Sequence, residues 1–129
     1  MKRHIFDEHC RRSQLTVVRT KVRSVAQVGH DWGERGWSDR NQIIPHLHGS
    51  GATFHTQDIG FFDGRLRHAD YCLVCYDVPP GELAQWVLKF LRHSEFNTHA
   101  KRLGKVIKVS PAKIAYWELH EPQLKEVEW

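Results

Sequence analysis

Short apolar runs separated by polar, glycine-bearing stretches set the pattern of this chain. His4-Ile5-Phe6 predicts a first strand that ends on Asp7. Leu15, Val18 and Val22 fall at i, i+3 and i+7 and predict a helix over roughly Glu8 to Lys21. The β-branched Thr16, Val17 and Val18 favour that helix only weakly. Ser24 to Val28 predicts a second strand, and Gly29, Gly33 and Gly36 mark a long loop after it. Ser38-Asp39 opens a second helix with Ile43, Ile44 and Leu47 as its apolar face, which Pro45 keeps short or bent. Ala52 to His55 and Tyr71 to Tyr76 predict the third and fourth strands.

Pro79-Pro80-Gly81 opens the clearest helix, with Leu83, Trp86, Val87, Phe90 and Leu91 forming a broad apolar stripe. Asn97 is placed to cap a short helix that Gly104 stops. Val106 to Val109 and Ile114 to Leu119, joined through Ser110-Pro111, predict a terminal hairpin or two edge strands. Residues 121–129 are expected to be a surface tail, leaving one domain over residues 1–120 with no internal repeat or linker. Strands alternating with helices imply an α/β domain around a mainly parallel sheet. Ligands of such sheets collect beyond the carboxyl ends of the strands. Asp7, Asp58 and Asp77 each close a predicted strand.

Composition narrows the class. The chain has 129 residues, 40% hydrophobic and 26% charged, which suits one folded domain rather than disorder. No apolar run reaches membrane-spanning length, and Met-Lys-Arg-His-Ile-Phe-Asp lacks the apolar core of a signal peptide, so no membrane partner and a cytoplasmic location are expected. The net charge of +4, with ten histidines besides, favours a polyanion partner. Three cysteines, an odd number, argue against a disulfide framework.

The acidic set is Asp7, Asp39 and Asp58, with Glu8, Asp63 and Asp77 near it in the chain. Clustered carboxylates repel one another and need a cation, and all-oxygen ligation suits Mg²⁺ or Mn²⁺ better than Zn²⁺. Asp77 reads as a cap of the Pro-Pro helix. Asp39 could cap its helix or, if Ser38 does that, face the cleft.

Three stretches, "HIFDEH", "GHDWGERGWSD" and "TQDIGF", resemble in order and spacing the short PIN-like ribonucleases, many of them toxins of bacterial toxin–antitoxin pairs. The resemblance covers roughly Lys2 to Asp63 and continues through the Pro-Pro helix. It implies a three-layer α/β/α sandwich whose acids hold Mg²⁺ or Mn²⁺ and hydrolyse RNA. Asp7 then matches the acid after the first strand, Asp39 the acid that opens the helix after the glycine loop, and Asp58 the acid of the threonine-x-aspartate element, oriented by Thr56. At Gly60 the chain departs from related sequences, which often carry another acid there; Asp63 is the neighbour that could substitute. The implied partners are RNA and an antitoxin protein, with a homodimer left open.

Basic residues fit a phosphate path: Arg65, Arg67 and His68 after the site, and Arg11 and Arg12 beside Asp7. Trp32 and Trp37 could stack on unpaired bases or plug the core. Cys72 and Cys75 form a CxxC spacing downstream of His46 and His48, which invites a zinc reading; on a strand, however, the two thiols point to opposite faces. His55 is expected to be a core or surface histidine. The expected activity is therefore a metal-dependent endoribonuclease. The alternatives are a catalytically silent nucleic-acid-binding PIN-like protein and, more weakly, a zinc domain through the CxxC.

Overall fold

The computed structural model describes residues 3–129. Met1 and Lys2, which open the segment without a signal peptide's apolar core and of which Lys2 begins the stretch of resemblance, lie outside the described residues. The chain runs β1 (His4–Phe6), α1 (Arg12–Arg19), β2 (Val25–Gln27), α2 (Arg40–Leu47), β3 (Thr53–Thr56), two 3₁₀ turns, β4 (Cys72–Tyr76), a further 3₁₀ turn, α3 (Leu83–Arg92), α4 (His99–Arg102), β5 (Val106–Val109), β6 (Ile114–Trp117) and β7 (Lys125–Val127). All seven strands form one sheet in the order β2-β1-β3-β4-β5-β6-β7. The first five are mutually parallel and the last two antiparallel. This is the expected α/β class with a mainly parallel sheet.

Two apolar clusters lie on the two faces of the sheet. Leu15 and Val18 of α1 and Leu83, Trp86, Val87 and Phe90 of α3 pack with Phe6, Val74, Tyr76 and Ile107. Ile43 and Leu47 of α2 pack with Ile5, Phe54, Leu73, Cys75 and Val106 on the opposite face. Helices thus cover both faces. The chain leaves β1 toward β2 through α1, then returns past β1 to β3 through α2. With right-handed crossovers, that reversal of direction puts the two helices on opposite faces. The sheet therefore has a topological switch point between β1 and β3, the position at which ligands of such sheets commonly bind.

Three elements differ from expectation. Helix α1 starts at Arg12 rather than near Glu8, because Glu8 to Cys10 form a turn that follows β1. Thr98, not Asn97, caps α4, its side chain accepting the Lys101 amide. Residues 121–129 are not a tail: β7 pairs with β6, and Trp129 packs on Trp86 and donates its indole N–H to the Ser110 carbonyl at 2.8 Å. Alternating Lys and Glu hid that strand, since it lies at the edge with little of it buried. Among the described residues, no helix is long and apolar enough to cross a membrane.

Candidate functional site at the switch point

Asp7 is the first residue past β1, and Asp58 stands two residues past β3, so adjacent parallel strands bring both to the carboxyl edge. Asp7 is 3% exposed. Its amide donates to the His55 carbonyl at 2.9 Å, extending the ladder one residue beyond β1. Its carboxylate is held at both oxygens: Oδ1 accepts the His9 amide at 3.1 Å and Oδ2 accepts the Thr56 hydroxyl at 2.7 Å. The same hydroxyl oxygen accepts the Asp58 amide at 3.0 Å. One threonine thus links the two acids, as the threonine-x-aspartate spacing requires.

The exposed Asp58 uses Oδ1 to accept the Gly60 amide at 2.8 Å and cap a 3₁₀ turn. A Cβ at Gly60 would stand 3.0 Å from that oxygen. A second acid there would crowd Asp58, which gives the departure at Gly60 a local reason.

The other expected ligands are occupied otherwise. Asp39, rather than Ser38, caps α2: its Oδ1 accepts the amides of Asn41 and Gln42, and the Gln42 side chain returns a bond to complete a capping box. Asp63 does not substitute at the edge. Arg65 and Arg40 grip it at 2.8 and 2.9 Å, and those bonds, Arg65's above all, hold its carboxyl well below the usual range. Asp77 does not cap the helix after the prolines; Glu82 stands at the N-terminal boundary of α3. Asp7, Asp39 and Asp58 are not a tight trio. Among the described residues, the group of three with ligand atoms all within 4.8 Å of one another is His48, His68 and Asp70, at the other edge of the sheet.

The basic residues also sort differently. The guanidinium of Arg67 donates to the carbonyls of Gly64, Glu118 and Glu121 and lies over the Trp117 ring, so it clamps loops together. Arg65 is neutralised by Asp63, and His68 lies just before β4, toward the amino edge. Arg11 and Arg12, at the start of α1, remain beside the carboxyl edge. Arg12 lines a cavity of about 220 Å³ with Leu15, Arg19, Gln27, His30 and Asp31.

Two contributors escaped the sequence reading. Lys108 is in register with Cys75, which is in register with Thr56, so its side chain leaves the same face of the sheet about 10 Å from Thr56. It lies over Phe62 at 5.3 Å, and among the described residues it makes no ion pair. The signal was a lone lysine interrupting the buried run Val106-Ile107-Lys108-Val109. Gln27 donates to the carbonyls of Asp7, Glu8 and Cys10 and so shapes the turn that carries Asp7. Its signal was a polar side chain closing an otherwise apolar strand.

The remaining candidates settle as structure. Trp32 and Trp37 meet edge-on at 6.2 Å and pack partly buried against the α2-face cluster, the plug reading. Cys72 belongs to one core cluster and Cys75 to the other, so one ion cannot take both; burial pushes both thiols up. His55 is fully buried, bonded to His4 at 3.0 Å and to the Tyr76 hydroxyl at 2.8 Å.

No family model matches the chain, and no curated protein or solved structure matches it.

Proposed function

We propose that the chain is a metal-dependent endoribonuclease of the PIN-like class, acting on RNA in the cytoplasm as the toxin of a toxin–antitoxin pair. The observation that supports it is the Thr56 hydroxyl that ties buried Asp7 to Asp58 at the switch point. An acid 3% exposed at a strand end, with no basic side chain bonded to it among the described residues, is a costly arrangement for structure alone.

The donor set suits a hard cation. Asp7 and Asp58 offer only oxygen, and the Oδ2 of Asp58 takes no hydrogen bond among the described residues. Mg²⁺ commonly binds through one or two carboxylates and completes its shell with water and substrate phosphate. Asp7 and Asp58 are therefore the residues assigned to hold Mg²⁺ or Mn²⁺; Asp39 caps its helix. When bound, such an ion neutralises charge growing on a phosphate and acidifies a water.

The chain's own residues do the rest. Thr56 fixes the rotamer of Asp7, and the His9 amide fixes its second oxygen. Lys108 on one side and Arg12 on the other offer cations to the phosphates that flank the scissile one. The test is RNA cleavage in Mn²⁺ by wild type and by Asp58→Asn, with EDTA as control. Loss of cleavage in both the variant and the chelated protein supports the reading. A wild type that neither binds Mn²⁺ nor cuts RNA returns the protein to the binding-only alternative.

A further inference from the structure

We propose a second metal site, of different chemistry, at the opposite edge of the sheet: His48, His68 and Asp70 form a two-imidazole, one-carboxylate site for Zn²⁺. His48 is the residue after α2 and enters the connection to β3; His68 and Asp70 lie in the connection that enters β4. Residues almost adjacent in space thus come from two loops about twenty positions apart. One ligand atom from each lies within 4.8 Å of the other two.

The scaffold beneath this group is built from backbone bonds. The Gly49 amide donates to Asp70 Oδ2 at 3.0 Å, and the Gly51 amide donates to the Asp70 carbonyl at 2.8 Å. Both glycines have positive φ, 76° and 67°, a conformation that lets the loop fold back onto Asp70. The rings are positioned by stacking. His68 lies nearly parallel to Tyr71 (13°, 5.5 Å), and His48 stands edge-on to His68 at 4.2 Å. Oδ2 of Asp70 is 3.6 Å from Nδ1 of His68. The bond that the Asp70 amide gives to that Nδ1, at 3.1 Å, is the contact that a metal on the same atom would displace.

The donor types decide the metal. Imidazole nitrogen selects zinc and its neighbours over Mg²⁺, which prefers oxygen. Three protein ligands leave a fourth tetrahedral position open to water or to a partner's side chain. An ion here would clip the connection before β3 to the connection before β4 without touching Asp7 or Asp58.

The experiment is a Zn²⁺ titration of the full chain by calorimetry, with Co²⁺ absorption as a spectroscopic check. Wild type should take one equivalent of Zn²⁺. His48→Ala should lose it; His48 is exposed, so that variant should fold, which circular dichroism checks. Asp70→Asn should weaken it, and Asp58→Asn should leave it unchanged. The proposal is overturned if wild type binds no Zn²⁺, if His48→Ala binds it as wild type does, or if Asp58→Asn abolishes it. Because Asp58→Asn separates the two edges, failure here leaves the nuclease reading to its own test.

Discussion

The hydroxyl of Thr56 donates to Oδ2 of Asp7 at 2.7 Å and accepts the amide of Asp58 at 3.0 Å, joining the ends of β1 and β3 through one side chain. All of it lies at the point where the sheet reverses its winding.

Removing that hydroxyl should cost stability as well as function. Thr56→Val keeps the shape but strips the buried Asp7 oxygen and the Asp58 amide of their partner. Leaving buried polar groups unpaired costs about 1–3 kcal/mol. Urea unfolding should show a lower midpoint for Thr56→Val, with Thr56→Ser restoring much of it. Equal midpoints for Val and wild type would mean that the link carries no strain on removal and does not orient Asp7.

Acid should weaken the fold through the other face of the sheet. His4 bonds to His55, which bonds to Tyr76, in a buried row beside Arg102, with Arg3 and His99 near His4. Burial, then the charge of Arg102, lowers His4 to about 4, and burial lowers His55 well below its usual value. Unfolded, both rings take up a proton near pH 6.5; folded, they resist it. Their contribution to stability is complete above that pH and is lost as pH falls toward 4. From His4 alone, the loss between pH 7 and pH 5 is about 2 kcal/mol. Melting temperatures across that range should fall steeply in wild type and less steeply in His4→Gln. Parallel curves would place the acid sensitivity elsewhere.

The two cation assignments separate in a salt titration. If Lys108 meets a phosphate, Lys108→Ala should lower the slope of log affinity against log salt by about 0.7 for single-stranded RNA. Arg67 spends its donors on the carbonyls of Gly64, Glu118 and Glu121, so Arg67→Ala should lower stability and leave the slope alone. The reverse pattern would return Arg67 to the phosphate path.

Legibility in the sequence followed local signal. The strand starts at His4 and Val106, and that of β3 to within one residue of Thr53, could be read because short apolar runs bounded by loops mark buried parallel strands. The joint placement of Asp7 and Asp58 followed from that alternation. What the residues alone could not give was partnership across distance. Asp63 looked like a spare ligand, but Arg40, 23 positions earlier, claims it. Arg67 read as a phosphate contact, but carbonyls more than fifty positions later fold over it. Asp39 and Ser38 were equal candidates for one cap, and only the geometry of the first turn chose Asp39. His48 and His68 drew separate readings, a zinc partner of the CxxC and a phosphate contact, and Asp70 none, because two loops must meet before the three form a group.

The most direct test of the central claim is cleavage of single-stranded RNA in Mn²⁺, read beside the melting temperature of the same proteins. Asp58→Asn keeps the side-chain size and removes the charge a hard cation needs. Mn²⁺ should raise the melting temperature of wild type more than that of Asp58→Asn, by linkage. Cleavage should be abolished in the variant, and in wild type by EDTA, while the variant's metal-free stability holds or rises. Cleavage by Asp58→Asn at the wild-type rate, with equal stabilisation of both proteins by Mn²⁺, would contradict the account.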